Sequence, residues 1–434
     1  MKPSMTNEPD VVIEPRRRTP VARDVDVLVA GAGPAGIAAG IAAAREGART
    51  LVVERYGYAG GMIAGAHVVA ILGVGDGYVP LARGITSELR DRMAAVGGVV
   101  AARPSPSGDY RVDAELFKWQ AVEMLSEAGA DTLFHTLACA PIVRRGRVEG
   151  VLVESKSGRQ ALRAAVTIDC TADADLAHRA GAGGENETHD VSLHYTVEGV
   201  RDEAVREFAA RAPAEYARIE AEARRRNGGA PIGKSQWLKG VDITDAAALS
   251  RAETQLRRAV FETVNYLRAQ LPGWEGARVR STGPQLGVRQ SRRIRGEYRV
   301  THDELIANAR FEDGIARLGA TMDGYRLYVP AGCRYDIPYR CMVPASVDGL
   351  LVAGRCVSAD YRAANELRLI VPCFATGQAA GVAAALAARR GIAPRAVPAA
   401  ELRERLRAQG VYLGDGEPAA AAAPAGTPEV AQDD

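Results

Sequence analysis

The chain has 434 residues, 47% hydrophobic and 25% charged, with a formal net charge of +2. That length supports a large core and predicts two interleaved domains, and the near-neutral balance leaves no global field to recruit nucleic acid. The six cysteines contain no C-x-x-C pair, so they read as reduced core thiols rather than a metal site or a dithiol centre.

The N-terminus is polar and carries Pro3, Pro9, Pro15 and Pro20, unlike a signal peptide. Residues 1–23 are expected as a disordered tail, with Arg16, Arg17 and Arg18 solvated. The longest apolar stretches carry polar breaks and read as too short to span a bilayer. A cytoplasmic protein is the expectation.

Residues 25–54 then read as strand, tight turn, helix, strand. Val25–Val29 is a short apolar run, and Gly31, Gly33 and Gly36 follow in G-x-G-x-x-G spacing. The first glycine permits the turn, the second lets the backbone approach a pyrophosphate, and the third lets helix pack on strand. The helix N-terminus faces the phosphates. Thr50–Val53 forms the second strand, and Glu54 lies eighteen residues beyond Gly36, where a carboxylate bonds a ribose hydroxyl. The pattern predicts a dinucleotide site. A loop with the Gly60-Gly61 pair and Met62 follows and is expected beside the ligand.

Residues 67–80 are Gly-rich and read as loop. Residues 113–128 have helical period with Asp113 as N-cap. Residues 131–154 alternate like a hairpin turning at Arg145-Gly146-Arg147, and 164–170 suggest a return strand. Residues 202–226 and 246–271 are amphipathic helices around a breaker at 227–231. They are too long and charged for a nucleotide domain's sheet and are assigned to a substrate domain or cap. Residues 284–301 are dense in arginine. A buried strand over 349–353 ends at Gly354-Arg355. A small-residue helix is expected to open at Thr376-Gly377-Gln378-Ala379-Ala380-Gly381, and a short helix from Ala400 to Gly410. The Thr376–Gly381 stretch has two readings, a helix start that admits a flat ring or a tightly packed core helix.

Five motifs in order carry a family resemblance. They are the Gly31–Gly36 fingerprint, Asp169–Ala177, the arginine box Gly287–Tyr298, Asp336–Cys341, and Leu350–Arg355 with Gly377–Gly381. Over about residues 24–412 the chain resembles bacterial FAD-dependent oxidoreductases of the glutathione-reductase-like superfamily. In Asp169–Ala177, Ala172 and Ala174 stand where those relatives have glycine. The resemblance implies FAD, held at the pyrophosphate by Gly31, Gly33, Pro34, Ala35 and Gly36 and at the adenosine ribose by Glu54 with Arg55 beside it. Gly61 and Met62 would meet the flavin end, and the Ala138 backbone the adenine. Thr171, Ala172, Asp173, Arg289, Gly354, Arg355, Gly377, Gln378 and Ala379 would close the site.

The implied fold class is α/β, a Rossmann-like FAD-binding domain with an interleaved α+β substrate or cap domain. The FAD-binding parts are 24–100, 164–185 and 348–412, separated by a mixed segment, 101–163, and a cap, 186–347. Residues 413–434 form a second tail. Where relatives often read S-A-T-H-E-A, this chain has Ser358-Ala359-Asp360-Tyr361-Arg362-Ala363, so the catalytic set departs from the pattern. Tyr361 is the candidate acid/base, Arg362 and Arg368 are candidate anion clamps, and His67 and His194 are alternatives. The expected activity is hydride transfer between a small organic substrate, an anion included, and flavin N5, with an unknown electron acceptor. A flavin monooxygenase and a non-catalytic or partner-dependent flavoprotein are the rivals.

Overall fold

The structure, a computed structural model, describes residues 16–100, 108–319 and 329–416 together with Val12 and Glu14. Most of both expected tails lies outside the described residues. Two boundaries move inward. Strand already begins at Val21, and Leu413 is buried while Arg310 Nη2 donates to its carbonyl.

The chain opens with β1 (Val21–Ala30), α1 (Pro34–Arg45) and β2 (Thr50–Val53). β1 and β2 run parallel from Val27↔Thr50 to Ala30↔Val53. Short elements follow: α2 (Gly61–Gly65), β3 (Ala70–Ile71), α3 (Ile85–Ala95), β4 (Val99–Val100) and β5 (Tyr110–Val112). Next comes α4 (Ala114–Glu127), with the Asp113 carboxylate accepting from the Glu115 and Leu116 amides as an N-cap should. β6 (Asp131–Leu133) pairs parallel with β2, so only β7 (Leu137–Arg144) and β8 (Arg147–Ser155) form the expected hairpin. Its turn needs positive φ at Arg145 and Gly146, 49° and 75°.

β9 (Gly158–Asp169) is the return strand and the longest of the sheet. Its first half, Gly158–Arg163, pairs with β8, its last three residues, Thr167–Asp169, pair with β18 (Leu350–Val352), and Ala161–Asp169 pair with β1. The result is a seven-stranded sheet in the order β6-β2-β1-β9-β8-β7, with β18 added on β9. The parallel part places the ends of β1, β2, β9 and β18 together, where ligands bind in such sheets.

After α5 (Asp175–Arg179) the chain enters the cap. β10 (Gly184–Asn186) leads to β11 (His189–Glu198), α6 (Asp202–Arg211), α7 (Pro213–Arg226), β12 (Ser235–Val241), α8 (Ala246–Gln270), β13 (Arg278–Thr282), β14 (Gly287–Val288) and β15 (Arg292–Ile294). The helical stretch 202–226 is broken at Ala212-Pro213, since proline starts a helix but cannot continue one. β12 lies just past the breaker and was not anticipated. Val191, Leu193 and Tyr195 alternate along β11 and bury one face of the cap sheet against Leu256, Val260 and Val264 of α8. The other face looks toward α2, against which β14 packs.

The return passes through α9 (His302–Ile306), β16 (Gly314–Leu318), β17 (Tyr335–Pro338), β18, α10 (Tyr361–Leu367), α11 (Ile370–Arg390) and α12 (Ala399–Ala408). α11 starts at Ile370, not Thr376. It has 21 residues and meets the length and apolarity needed to cross a membrane, contrary to the sequence reading, but 94% of its most apolar window is buried inside the protein. A Cβ on Gly377 would lie 2.1 Å from the Ala35 carbonyl oxygen, and one on Gly381 2.3 Å from that of Ala39. Glycine therefore lets α11 lie directly on α1.

Candidate active site

The fingerprint glycines do three separate jobs. Gly31 turns at φ +100°, and a Cβ there would meet the Cys170 carbonyl at 2.4 Å. A Cβ on Gly36 would meet the Gly31 carbonyl at 1.7 Å, so this glycine is for packing. Gly33 is different: a Cβ there meets only the Gly61 Cα, at 3.7 Å. Gly33 is the N-cap of α1, with no side chain capping the helix, no acid in its first turn, and Pro34 at its start. That leaves backbone N–H groups and the positive helix end for an anion.

Glu54 is buried and braces this loop, Oε2 accepting from the Ala32 amide at 2.7 Å and Oε1 from the Tyr56 amide at 3.0 Å. A carboxylate has acceptor capacity beyond two bonds, so a ribose remains within its reach. Arg55 is exposed over the Tyr56 ring, and Ala138 sits half-buried on β7 against the core that includes Leu51 and Val53. Gly61 at φ +49° packs on Gly33 and starts α2, bringing Met62 with it.

The opposite wall comes from the ends of β9 and β18. Asp169 accepts from the Thr171 hydroxyl and from the Thr171, Leu176 and Ala177 amides, tying the 171–177 loop into a fixed form. Ala172 and Ala174 hold φ of 72° and 52°, the left-handed region that glycine occupies without strain. Asp173 between them accepts from Ser291 Oγ and Arg355 Nη2, each at 2.5 Å. Burial works against the Arg355 charge, but Asp173 holds the guanidinium protonated and above its ordinary range. Arg355 Nε is buried with no hydrogen-bond partner among the described residues. Gly354 at φ +91° stands 3.2 Å, by its would-be Cβ, from the Ala35 Cβ and near Cys373 in the first turn of α11.

These features fit a bound dinucleotide. An uncapped helix start, an open space at Gly33, the buried Glu54 carboxylate and an orphaned buried guanidinium N–H gather at the carboxyl ends of β1, β2 and β18, where the crevice of such a sheet lies. A family profile described as FAD dependent oxidoreductase matches residues 26–406. The chain belongs to this family. FAD is its cofactor, and Arg355, Glu54 and the Gly31–Gly36 loop are residues that could hold it.

The flavoprotein is 30% identical over 162 residues to a digeranylgeranylglycerophospholipid reductase of Methanoculleus marisnigri, covering 36% of this chain and 41% of that one. It is 36% identical over 129 residues to a thiamine thiazole synthase of Aeropyrum pernix, covering 30% and 43%. The chain thus spans about two fifths of the length of the curated relatives it matches. Among solved structures, a geranylgeranyl bacteriochlorophyll reductase-like protein of Thermoplasma acidophilum is 14% identical, with 89% of this chain and 82% of that one covered at a TM-score of 0.43. The flavin-dependent brominase Bmp2 gives 13%, 88%, 84% and 0.47.

Three assigned positions need correction. Gly377, Gln378 and Ala379 lie in the second and third turns of α11, so they are not its N-terminus. Gly377 packs on Ala35. Gln378 is buried, accepting from the Ile85 amide and donating to Gln409 Oε1. Ala379 is fully buried in the core. The positive helix end belongs instead to Ile370–Cys373, and Thr376 Oγ1 accepts from the Gly354 amide at 3.1 Å.

The cap forms a roof over the cradle. Val288 joins the two, its amide donating to Met62 Sδ at 3.5 Å and its carbonyl accepting from Arg355 Nη1 at 3.3 Å. Arg289 follows directly. Its guanidinium lies 4.5 Å from the Trp237 ring centroid and 3.9 Å from Asp190, so it belongs to the roof rather than to the cofactor loops. Two further arginines of the box are structural clamps: Arg292 pairs with Asp175 at 3.0 Å, and buried Arg293 pairs with Glu185 at 2.8 Å.

Tyr361 stacks on His189 with ring centroids 5.9 Å apart. Arg368 Nε donates to Asn365 Oδ1 at 3.2 Å, and its charge is felt at His189. Arg362 is exposed in the first turn of α10. Burial and the nearby His67, Arg289 and Arg111 press His194 down to about 4. Burial, Arg368 and Arg289 lower His189, against a smaller opposing pull from Asp190. Burial and Lys118 lower His67. His189, Trp237 and Arg111 were missed from sequence. The alternation of Val191, Leu193 and Tyr195 against Ser192 and His194 could have found this strand.

Proposed function

We propose that this flavoprotein is a dehydrogenase or oxidase of the glutathione-reductase-like superfamily, moving a hydride between a small organic substrate and FAD. One observation carries the reading: His189, His194, Arg289 and Tyr361 gather in the roof where Val288 touches both Met62 and Arg355. Bound FAD supplies a two-electron hydride centre at its N5. The residues of the chain then bind and orient the substrate and handle its proton.

His189 Nδ1 accepts from the Asp190 amide at 2.7 Å, which puts the ring proton on Nε2. That edge is a donor suited to a carbonyl or hydroxyl oxygen, and the Tyr361 ring fixes its plane. His194 is neutral at neutral pH, so a ring nitrogen accepts a hydrogen bond from a substrate hydroxyl or amine. All six cysteines are free, and burial raises Cys170, Cys356 and Cys373 beside the cradle. Protonated thiols are poor nucleophiles, which supports direct transfer over a dithiol relay. Six free thiols support a reducing compartment such as the cytoplasm.

The test is anaerobic mixing of the FAD-loaded protein with a metabolite panel while flavin bleaching is followed. Bleaching by one substrate class, followed by reoxidation with dioxygen, a quinone or NAD(P)+, supports the proposal and names the acceptor. Product formed only with NAD(P)H and dioxygen together would make it a monooxygenase. No turnover under either regime would leave a flavin-binding subunit.

A further inference from the structure

We propose that the substrate is an organic anion whose charged end is gripped by Arg289 under the cap sheet; this rests on the oxidoreductase reading above and names its substrate class. The argument starts from how the arginines around the crevice are used. Arg355 meets Asp173 at 2.5 Å, Arg293 meets Glu185 at 2.8 Å, and Arg292 meets Asp175 at 3.0 Å. Each has a carboxylate at charge-assisted hydrogen-bond distance. Arg289 stands 3.9 Å from Asp190, beyond that distance.

What fixes Arg289 is a cation–π contact. Its guanidinium carbon sits 4.5 Å over the centroid of Trp237, which β11–β12 pairing places opposite Ser192. A guanidinium held by a ring face rather than by a close carboxylate keeps N–H donors for a planar oxyanion. Its place is determined by β14, because Val288 one residue earlier bonds both Met62 and Arg355. The guanidinium therefore sits at the edge of the cofactor crevice, where a substrate's remote end belongs.

The surroundings carry the same sign. Arg289 and Arg368 act on His189, Arg289 and Arg111 act on His194, and Lys118 acts on His67. The opposing acids there are Asp190 at His189 and Glu115 at His67. An anion entering this roof comes under the positive field of Arg289, Arg368 and Arg111, and the stacked His189–Tyr361 pair gives a flat wall for an unsaturated body. Carboxylate and phosphate monoester share the oxyanion geometry that a guanidinium recognises. Two open depressions elsewhere, on the outer face of α8 around Arg251 and Arg258 and beside Arg145 and Arg395, share no residue with this roof.

The experiment titrates the FAD-loaded full chain with benzoate, phenyl phosphate and benzamide, reading the visible flavin spectrum. Benzoate or phenyl phosphate should perturb the spectrum saturably, whichever binds tighter naming the oxyanion, and benzamide should bind at least about tenfold more weakly. Arg289→Gln should weaken anion binding at least about tenfold with FAD content and melting temperature kept, and Arg289→Lys should fall between. Benzamide binding as tightly as the anions, no saturable anion binding, or anion binding unchanged in Arg289→Gln would each overturn the proposal. Should Arg289→Gln misfold, the wild-type comparison of anions with benzamide still decides. The titration needs no turnover, so its failure is separate from a failure of any metabolite to reduce the flavin.

Discussion

The cradle and the roof differ in how their charges are spent. In the cradle, Asp169 takes four hydrogen bonds from its own loop, and Asp173 is shared by Ser291 and Arg355 at 2.5 Å. Its acids are held by fixed hydrogen bonds, and among the described residues Arg355 Nε is a buried side-chain N–H left without a partner. In the roof, Arg289 is held by an aromatic face rather than a close carboxylate, and His194 is pushed to about 4. A pre-formed, self-satisfied wall suits a cofactor that stays. A wall with an imbalance of charge suits a ligand that comes and goes, because the ligand itself supplies the missing partner.

The largest effect expected is on the cradle. Gly33→Val places a side chain into the space that only Gly61 borders at 3.7 Å. The apo fold should survive, while FAD affinity falls by about a hundredfold or more, because the backbone can no longer approach the pyrophosphate. Released FAD per chain is the measurement, and full flavin content in this variant would remove the fingerprint from the cofactor site. Gly377→Val should do the opposite. Its Cβ collides with the Ala35 carbonyl at 2.1 Å, an overpacking that costs about 1–3 kcal/mol or more. A lower urea midpoint of the apo protein is expected. Lost FAD with unchanged apo stability would return Gly377 to the cofactor site.

Those two glycines also show what sequence could and could not disclose. Gly31, Gly33 and Gly36 were legible because one local unit fixes their roles at fixed offsets, and α4 was legible from its Asp113 cap. The start of α11 was not. Leu369 is its N-cap without a side-chain bond, and Pro372 falls in its first turn, so Thr376-Gly377 read as the opening. Only the approach of α1 tells a packing glycine from a cofactor glycine. The roof was hidden for a related reason. Trp237 meets Arg289 through β11–β12 pairing, and Tyr361 reaches His189 from another domain part. No local spacing encodes either meeting.

A pH experiment tests the roof by itself. Folding lowers His194 from 6.5 to about 4, chiefly by burial and then by His67, Arg289 and Arg111. Between those values the unfolded chain binds the proton and the folded one does not, so stability falls as pH drops through this window. The shift corresponds to about 3 kcal/mol over the whole window. His194→Gln should flatten the fall in apo-protein stability between neutral pH and pH near 4, seen in urea midpoints. Equal slopes in both proteins would mean that His194 is not held neutral.

The smallest effect returns to the cradle and asks how much strain its rigidity carries. Ala172 and Ala174 flank Asp173 at φ of 72° and 52°. A left-handed alanine is disfavoured by about 1–2 kcal/mol because its Cβ crowds the following carbonyl. Glycine removes that strain but adds backbone freedom to the unfolded chain, about 0.5–1 kcal/mol in the other direction. Each of Ala172→Gly and Ala174→Gly should therefore stabilise the apo protein by up to about 1.5 kcal/mol. The loop's shape is set by the Asp169 hydrogen bonds, so Asp173 should keep its hold on Arg355 and FAD affinity should change by no more than about threefold. Urea midpoints and FAD titration measure the two quantities. A destabilised variant would mean that the alanine methyls contribute packing that outweighs their strain, most readily at Ala174, which is buried. A stabilised variant with sharply weaker FAD would show instead that the strained backbone itself pre-positions Asp173 and Arg355 for the cofactor.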